Sequence, residues 1–195
     1  MNKKVEQGNA TRHQIVAAAR QLFATLGYEA TSIEAVLRES GVSRGALYHH
    51  FDSKEALFSV VLQEVEAEIA HVVSAAARGI DDPSRALAAG CGAWLGLASD
   101  PAIRQIALID APSVVGWQKW RQADESYGFG LLKTGLSAAA TAGRMRPELV
   151  DVFAHILLAA LAEVALVIAR APDPAAATGV GRIAIEELIG RLLAR

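Results

Sequence analysis

Residues 31–54 read TSIEAVLRESGVSRGALYHHFDSK, and this stretch decides the fold of the N-terminal part of the chain. Thr31 and Glu34 have the spacing of a capping box, which predicts the start of a short helix. Gly41 can adopt the left-handed conformation of a sharp turn, and Ser43 can cap a second short helix directly after it. Helices of about seven residues are not stable alone, so packing on neighbouring helices must hold this pair in place.

The second short helix has one apolar face and one polar face. Leu47 and Phe51 are spaced so that both can point inward to a core. The other face combines side chains that form hydrogen bonds with a glycine that permits close approach: Ser43, Arg44, Gly45, Tyr48 and His49. Two short helices joined by a tight turn, with such groups exposed on the second, are typical of a helix-turn-helix motif that enters the DNA major groove.

The predicted DNA contacts follow from this arrangement. Arg44 and His49 can reach the hydrogen-bond donors and acceptors that base edges present in the major groove. Four side chains around the motif are predicted to contact phosphates: Thr31, Ser32, Tyr48 and Lys54. We therefore place the DNA-binding motif at about residues 34–53.

The composition limits the kind of DNA contact that is possible. Of 195 residues, 19 are Lys or Arg and 21 are Asp or Glu, which gives a formal net charge of −2. Binding therefore has to rely on a local complementary surface and not on overall attraction to phosphates. Hydrophobic residues make up 52% of the chain, a surplus that can form a subunit interface, a ligand cavity or a membrane segment.

Helix signals recur along the chain and strand signals are nearly absent. Apolar residues at helical spacing predict an all-α protein of about nine helices. Residues 1–58 are predicted to form a three-helix head with the helix-turn-helix motif, and residues 59–195 a helical ligand-binding and dimerisation bundle. The first helix is expected over residues 11–27, a long helix over 53–78 belongs to both parts, and another long helix is expected over 114–142.

The stretch 147–171 is apolar nearly all round a helix, which requires burial on two sides. A monomer surface does not offer this, whereas a two-fold bundle with the last helix does. The predicted dimer contacts are five of its apolar residues: Phe153, Leu157, Leu161, Val164 and Ile168. A membrane span is less favoured because Glu163 would cost about 2–3 kcal/mol near the bilayer centre.

The remaining candidates for chemistry are few. Trp94, Trp117 and His155 are candidate contacts to a ligand, although tryptophans are more often core or interface anchors. No Ser-His-Asp order, Gly-rich phosphate loop or Cys-His cluster is visible, so we predict no catalytic residue, no cofactor and no metal.

Cys91, the single cysteine, is interpreted as a small buried apolar residue. The polar N-terminal stretch lacks an apolar secretory segment, so we expect a cytoplasmic protein.

Residues 11–60 resemble the N-terminal module of the TetR family of bacterial regulators. The resemblance rests on FATLGY at 23–28, TSI at 31–33, GVSRGALYHHF at 41–51 and KEAL at 54–57. It implies DNA contacts from Ser43, Arg44, Gly45, Tyr48 and His49, and a phosphate contact from Lys54. Many members have a basic residue after the Thr-Ser-Ile run, where this chain has Glu34. The rest of the chain resembles the family in plan only.

By this resemblance the chain is expected to be a homodimer on a palindromic double-stranded DNA operator, and to be released from it by an unknown small-molecule effector. Coupling of about 1–3 kcal/mol would weaken DNA binding roughly 5- to 150-fold. Repression is the expected outcome, and activation stays open. Two other functions also stay open. A helical protein-interaction adaptor would enrich no palindrome from random DNA, and a small all-helical enzyme or carrier would depend on His155 and Glu163 instead of Arg44.

Overall fold

A computed structural model of the chain describes residues 3–118, 120 and 128–194, with side chains from Gly8 onward. Within these residues it contains helices and no strand, which confirms the predicted all-α fold. The helices are α1 (Lys3–Ala30), α2 (Ile33–Ser40), α3 (Arg44–His50), α4 (Lys54–Ala77), α5 (Pro83–Leu97), α6 (three consecutive segments, Pro101–Ile103, Arg104–Asp110 and Ala111–Val114), α7 (Gly130–Thr141), α8 (Val150–Arg170) and α9 (Pro174–Leu192). A 3₁₀ turn, Pro147–Leu149, precedes α8.

The chain divides into two compact units. The first contains Met1–Val65 and Pro101–Trp117, and the second contains Glu66–Asp100 and Gln118–Arg195. This differs from the predicted division at residue 58, because α6 packs on α1 and so joins the N-terminal helices in the first unit. Helix α4 contributes residues to both units.

Three aromatic rings lie at the centre of the first unit. The rings of Phe23 and Phe58 are fully buried and meet edge to face, with centroids 5.2 Å apart. Tyr28 lies 5.2 Å from Phe58 and 5.8 Å from Phe23. Edge-to-face aromatic pairs add to the stabilisation that burial alone provides. The other buried apolar residues of the first unit come from α1, α2, α4 and α6 and include Ile15, Val16, Ala19, Val36, Leu57, Val61, Ile103 and Ile106.

Helix α1 begins earlier than predicted and has a kink near its end. It starts at Lys3, so Thr11 lies inside the helix and the expected N-terminus at that residue is wrong. The predicted break at Gly27 is confirmed by its backbone angles, φ 79° and ψ 167°. A positive φ is accessible to glycine at no steric cost because it has no Cβ.

Helix α6 passes through Pro112, a residue type that usually ends a helix. The segment Arg104–Asp110 is a π-helix, and the N–H of Ala111 donates to the carbonyl of Ile106, five residues earlier. A proline inside an α-helix clashes with the carbonyl of the preceding turn, and the wider π turn before Pro112 gives that ring room. The predicted helix 114–142 is broken at Gly116 (φ 85°) and partly lies outside the described residues, and α7 covers its C-terminal part.

Helices α5, α7, α8 and α9 form the second unit, in which α9 packs on both α5 and α8. Its core is lined mainly by leucine and isoleucine: Leu87, Leu95, Leu132, Leu136, Leu157, Leu161, Ile168, Ile185 and Ile189. By length and composition the segment Pro147–Arg170 could cross a membrane, but half of its most apolar window is buried within the chain. That burial is what a core helix requires, as the sequence predicts for this stretch.

Cys91 on α5 is buried in the second unit. Burial raises the pKa of its thiol to about 12, since the charged thiolate is disfavoured away from water. The nucleophilic form is therefore scarce at neutral pH, and the residue behaves as the small apolar side chain that the sequence predicts.

Close packing of α8 against α9 depends on Gly181. A methyl group at this position would lie 2.8 Å from Cγ1 of Val164 and 3.3 Å from Cδ1 of Ile168. We predict that Gly181→Ala lowers the free energy of unfolding by about 1–3 kcal/mol, although alanine is the better helix former. Urea denaturation followed by circular dichroism measures the effect.

A double variant provides the control for this prediction. Val164→Ala removes the methyl group that the new Cβ would strike. The pair Gly181→Ala and Val164→Ala is therefore expected to be less destabilising than the sum of the two single changes, by about 1 kcal/mol. Simple additivity would contradict the proposed clash between these two positions.

Candidate nucleic-acid interface

Caps at both ends of α2 and at the start of α3 fix the turn between these two helices. Ser32 caps α2 by accepting a hydrogen bond from the N–H of Ala35 at 3.1 Å. Gly41 ends α2 in the left-handed conformation (φ 67°), and its N–H donates to the carbonyl of Leu37. Ser43 then caps α3 through the N–H of Ala46. The capping residues predicted from sequence thus set the angle at which α3 leaves α2, except that Ser32 and not Thr31 begins α2.

The inner face of α3 is held by two apolar side chains. Leu47 is fully buried and Phe51, which ends the helix, is 3% exposed. The guanidinium of Arg12 on α1 lies 5.7 Å from the centre of the Phe51 ring, within the range of a cation–π contact. Packing on α1 therefore fixes the orientation of a helix too short to be stable alone.

The outer face of α3 is open to solvent. The structure brings five of the residues that sequence reasoning selected onto this exposed surface: Ser43, Arg44, Gly45, Tyr48 and His49. The side chain of Arg44 is 58% exposed and Tyr48 is 44% exposed. Among the described residues, no heavy atom outside the helix's own backbone lies within 4 Å of a Cβ built at Gly45, so this part of the helix leaves room for close approach by another molecule.

Arg44 forms an ion pair with Glu34 on α2. Its Nη2 donates to Oε1 of Glu34 at 2.6 Å. The pKa of the Glu34 carboxyl is lowered, first by a hydrogen bond from its own backbone N–H and then by the hydrogen bond from Arg44. The pKa of Arg44 is raised by the same pair, so both groups stay charged. The glutamate that departs from the usual family pattern is thus the partner of a predicted base-contacting arginine.

Thr31 does not lie where a phosphate contact needs it. Its side chain is fully buried, and its hydroxyl donates to the carbonyl of Gly27 at 2.7 Å. The Thr31 side chain therefore has a structural role just before α2 and is not available for the predicted phosphate contact. Ser32 is exposed, and its hydroxyl proton is not used by the cap, so the first turn of α2 keeps one donor that faces solvent.

Lys54 at the start of α4 is tied into the first unit. Its ammonium donates to the carbonyls of Tyr28 at 2.8 Å and Thr31 at 3.0 Å. It also lies 4.0 Å from the centre of the Tyr28 ring. Two of its three N–H groups are used in this way, which leaves one for the predicted phosphate contact.

Burial, followed by the charges of Glu55 and Glu29, raises the pKa of Tyr28 and keeps its phenol neutral.

A second set of contacts reaches the same place from α6, and sequence reasoning missed it. The carboxylate of Asp110 accepts the N–H of Tyr28 at 2.8 Å and the side-chain amide of Gln105 at 3.0 Å. A methyl group at Gly27 would lie 3.1 Å from that amide nitrogen. The kink at Gly27 leaves the Tyr28 N–H outside the helical pattern, and Asp110 provides the acceptor that such a buried donor requires. No local sequence signal links positions 82 residues apart.

The three candidate ligand contacts fall into both units. Trp94 on α5 is partly buried and His155 on α8 is exposed, and both belong to the second unit. The ring of His155 stacks on Phe129, with centroids 4.4 Å apart. Trp117, 58% exposed, belongs to the first unit. In the part of the chain that the structure describes, no three His, Cys, Asp or Glu residues are grouped so that they could hold a metal ion.

Three of the five predicted dimer contacts are occupied by packing within the chain. Leu157, Leu161 and Ile168 are each 5% exposed or less, and Phe153 and Val164 are partly buried. When a helix is apolar nearly all round, its sequence does not show which side packs on its own chain. The residues selected by periodicity therefore lie mainly on the inner face. The face of α8 that remains exposed carries Val152, Ile156 and Val167.

Comparison with known proteins covers both parts of the chain. The family model described as "Bacterial regulatory proteins, tetR family" matches residues 15–61. The model described as "Tetracyclin repressor-like, C-terminal domain" matches residues 84–192, which is more than half of the chain.

The curated relatives are similar in the N-terminal part. The chain is 42% identical over 64 residues to the transcriptional repressor AcnR of Corynebacterium glutamicum, covering 33% of this chain and 34% of that protein. It is 38% identical over 71 residues to the transcriptional regulator UidR of Escherichia coli, covering 36% of each. The match thus spans about a third of the length of these relatives.

Solved structures are similar over the whole chain. A TetR-family transcriptional regulator from Pectobacterium atrosepticum superimposes with a TM-score of 0.86 and 27% identity, covering 100% of this chain and 99% of that one. A TetR-family regulator from Cytophaga hutchinsonii gives a TM-score of 0.78 at 18% identity, covering 97% and 98%. At the lower identity the likeness shows the fold alone.

The position of Lys54 predicts a loss of stability that does not depend on DNA. Lys54→Met keeps the aliphatic stem but leaves the carbonyls of Tyr28 and Thr31 without this donor, so we expect a loss of about 1–3 kcal/mol in the free energy of unfolding. Lys133→Met is the matched control, because Lys133 is exposed, pairs with the exposed carboxylate of Asp151 and lies 5.8 Å from the centre of the Phe129 ring. Equal urea midpoints for the two variants would contradict the structural role of Lys54.

Proposed function

Since the chain belongs to the TetR family of bacterial transcriptional regulators, we propose that it is a transcriptional repressor that binds a near-palindromic operator as a homodimer. A small molecule bound to the helical bundle of residues 59–195 lowers the affinity of the protein for the operator. We propose in addition that the protein acts in the cytoplasm and has no catalytic activity. This function accounts for the two kinds of exposed surface that the described residues carry, one polar on α3 and one apolar on α8 and α9.

The polar face of α3 carries the DNA-binding part of the proposal. Leu47 and Phe51 anchor the helix from below, so Arg44, Tyr48 and His49 project together from a rigid support. Arginine and histidine donate to base acceptors in the major groove, and a tyrosine hydroxyl at the edge of the same face suits a phosphate. The exposed Gly45 allows the helix backbone to approach the groove closely.

The apolar face of the second unit supports the homodimer. Six large apolar side chains on α8 and α9 are at least 40% exposed: Val152, Ile156, Val167, Val180, Ile183 and Leu188. Exposed apolar patches of this kind are typical of subunit interfaces, and a two-fold axis would let two copies cover each other's patch. We therefore assign the dimer contacts to this face, in place of the predicted set, of which Leu157, Leu161 and Ile168 are buried within the chain.

The effector is a small molecule of unknown chemistry. Trp94 and His155 remain candidate contacts in the second unit, and Trp117 remains one in the first. Within the first unit, Asp110 of α6 accepts a hydrogen bond from the N–H of Tyr28, and the carbonyl of Tyr28 accepts one from Lys54. A change in α6 would therefore act on the residues that support α2 and α3, which is the kind of discrete linkage that coupling requires.

Selection from random double-stranded DNA tests the proposed function. The wild-type chain is expected to enrich a near-palindrome whose half-sites lie about one helical turn, roughly 10 base pairs, apart. Arg44→Ala should weaken binding to this DNA by about 1–3 kcal/mol per half-site, measured by fluorescence anisotropy. Arg85→Ala, which removes an exposed arginine of α5, is the control and should bind as the wild type does. Enrichment of no palindrome would contradict the proposal.

The dimer interface is tested by placing a charge at its centre. Ile183 is 68% exposed on α9, and Ile183→Glu would bury two like charges between the copies. We predict that this variant sediments as a monomer and no longer binds the selected operator, whereas Ala175→Glu at the exposed start of α9 stays dimeric. If Ile183→Glu sediments as a dimer, the interface lies elsewhere.

A further inference from the structure

Glu34 and Arg44 form a contact between the two helices of the motif. The pair joins the first turn of α2 to the first residue of α3 at 2.6 Å. Both side chains are more than half exposed. An ion pair so exposed adds little to the free energy of unfolding, so its main physical effect is to restrict where the Arg44 guanidinium points.

The carboxylate of Glu34 is itself held in place. It lies at the N-terminus of α2, where a negative charge is favoured by the orientation of the backbone N–H groups. Its pKa is lowered most by its own backbone N–H and next by Arg44. The position at the start of α2 and the contact to Arg44 therefore both favour the charged carboxylate, which is the form that accepts from the guanidinium.

Tyr48 also interacts with the guanidinium. It lies one turn after Arg44 on α3, and it raises the pKa of Arg44 further, after the larger effect of Glu34. The guanidinium is thus engaged by an acceptor on α2 and by a phenol on α3. This arrangement limits the rotamers that a long, exposed side chain can adopt.

We propose that Glu34 is a specificity-determining residue, which holds the Arg44 guanidinium in the orientation from which it reads one base pair of each half-site. The inference rests on the proposed function, since it requires α3 to lie in the major groove. Glu34 uses one of the five guanidinium N–H groups and Tyr48 engages another, and two of the remaining three suffice for a bidentate contact to guanine. Because the side chain is already ordered, less rotamer entropy is lost when it meets the base.

This role predicts a loss confined to one position of the operator. Glu34→Gln keeps the size of the side chain and removes its charge, so the charge-assisted contact that orients Arg44 is reduced to a weaker, neutral hydrogen bond. The ratio of affinities for the correct and the replaced base pair is expected to fall about fivefold or more at the position that Arg44→Ala also affects, which is the lower end of the value of one base contact. The ratios at the other positions stay unchanged.

Glu39→Gln is the matched control. It removes the same charge from an exposed glutamate of α2, so it reproduces any general change in attraction to DNA. The operator selected by the wild-type chain and its single base-pair replacements are titrated with Glu34→Gln, Glu39→Gln, Arg44→Ala and the double variant of Glu34 and Arg44. In the Arg44→Ala background, Glu34→Gln should have no further effect on any ratio.

Three results would overturn the inference. Glu34→Gln could change the affinity for every DNA by one common factor, or it could behave as Glu39→Gln does, and in either case Glu34 would not orient Arg44. An effect on base preference that persists in the Arg44→Ala background would show that Glu34 contacts a base itself. The proposed function survives all three results, whereas failure of the wild-type chain to enrich any operator overturns both.

Discussion

Helix α3 has only seven residues, and it keeps its shape because Leu47 and Phe51 are buried beneath it. A helix of this length is unstable in water, so its packing on α1 and the cap at Ser43 decide whether it exists at all. The same burial divides its surface, since the side chains that cannot point inward must point outward. The polar face that we assign to DNA is therefore a direct consequence of how the helix is anchored.

The kink at the end of α1 connects this motif to the rest of the first unit. Gly27 frees the N–H of Tyr28, which Asp110 of α6 accepts, and Lys54 of α4 donates to the Tyr28 carbonyl. The backbone N–H and the carbonyl of Tyr28 thus join three helices, α1, α4 and α6. A regulator needs a linkage that is specific but can still be altered by a ligand, and two hydrogen bonds to charged groups, worth about 1.5–3 kcal/mol each, meet that condition.

Much of this could be read from the sequence because it is encoded locally. The kink at Gly27, the end of α2 at Gly41 and the start of α3 at Ser43 follow from single residues, and the two faces of α3 follow from the spacing of Leu47 and Phe51. The contact from Asp110 to Tyr28 could not be predicted, since nothing in either segment identifies its partner. The exposed face of α8 was also missed, because a helix apolar nearly all round does not reveal which side its own chain will cover.

The account as a whole depends on α3 entering the major groove through its outer face. Dimethyl sulfate methylates guanine N7 in that groove, so its protection pattern on the selected operator tests this most directly. The account predicts two protected guanine clusters about one helical turn apart, and the loss of protection at matching guanines in both when Arg44 is replaced by alanine. Operator DNA that is bound by the protein while every guanine N7 remains reactive would contradict it.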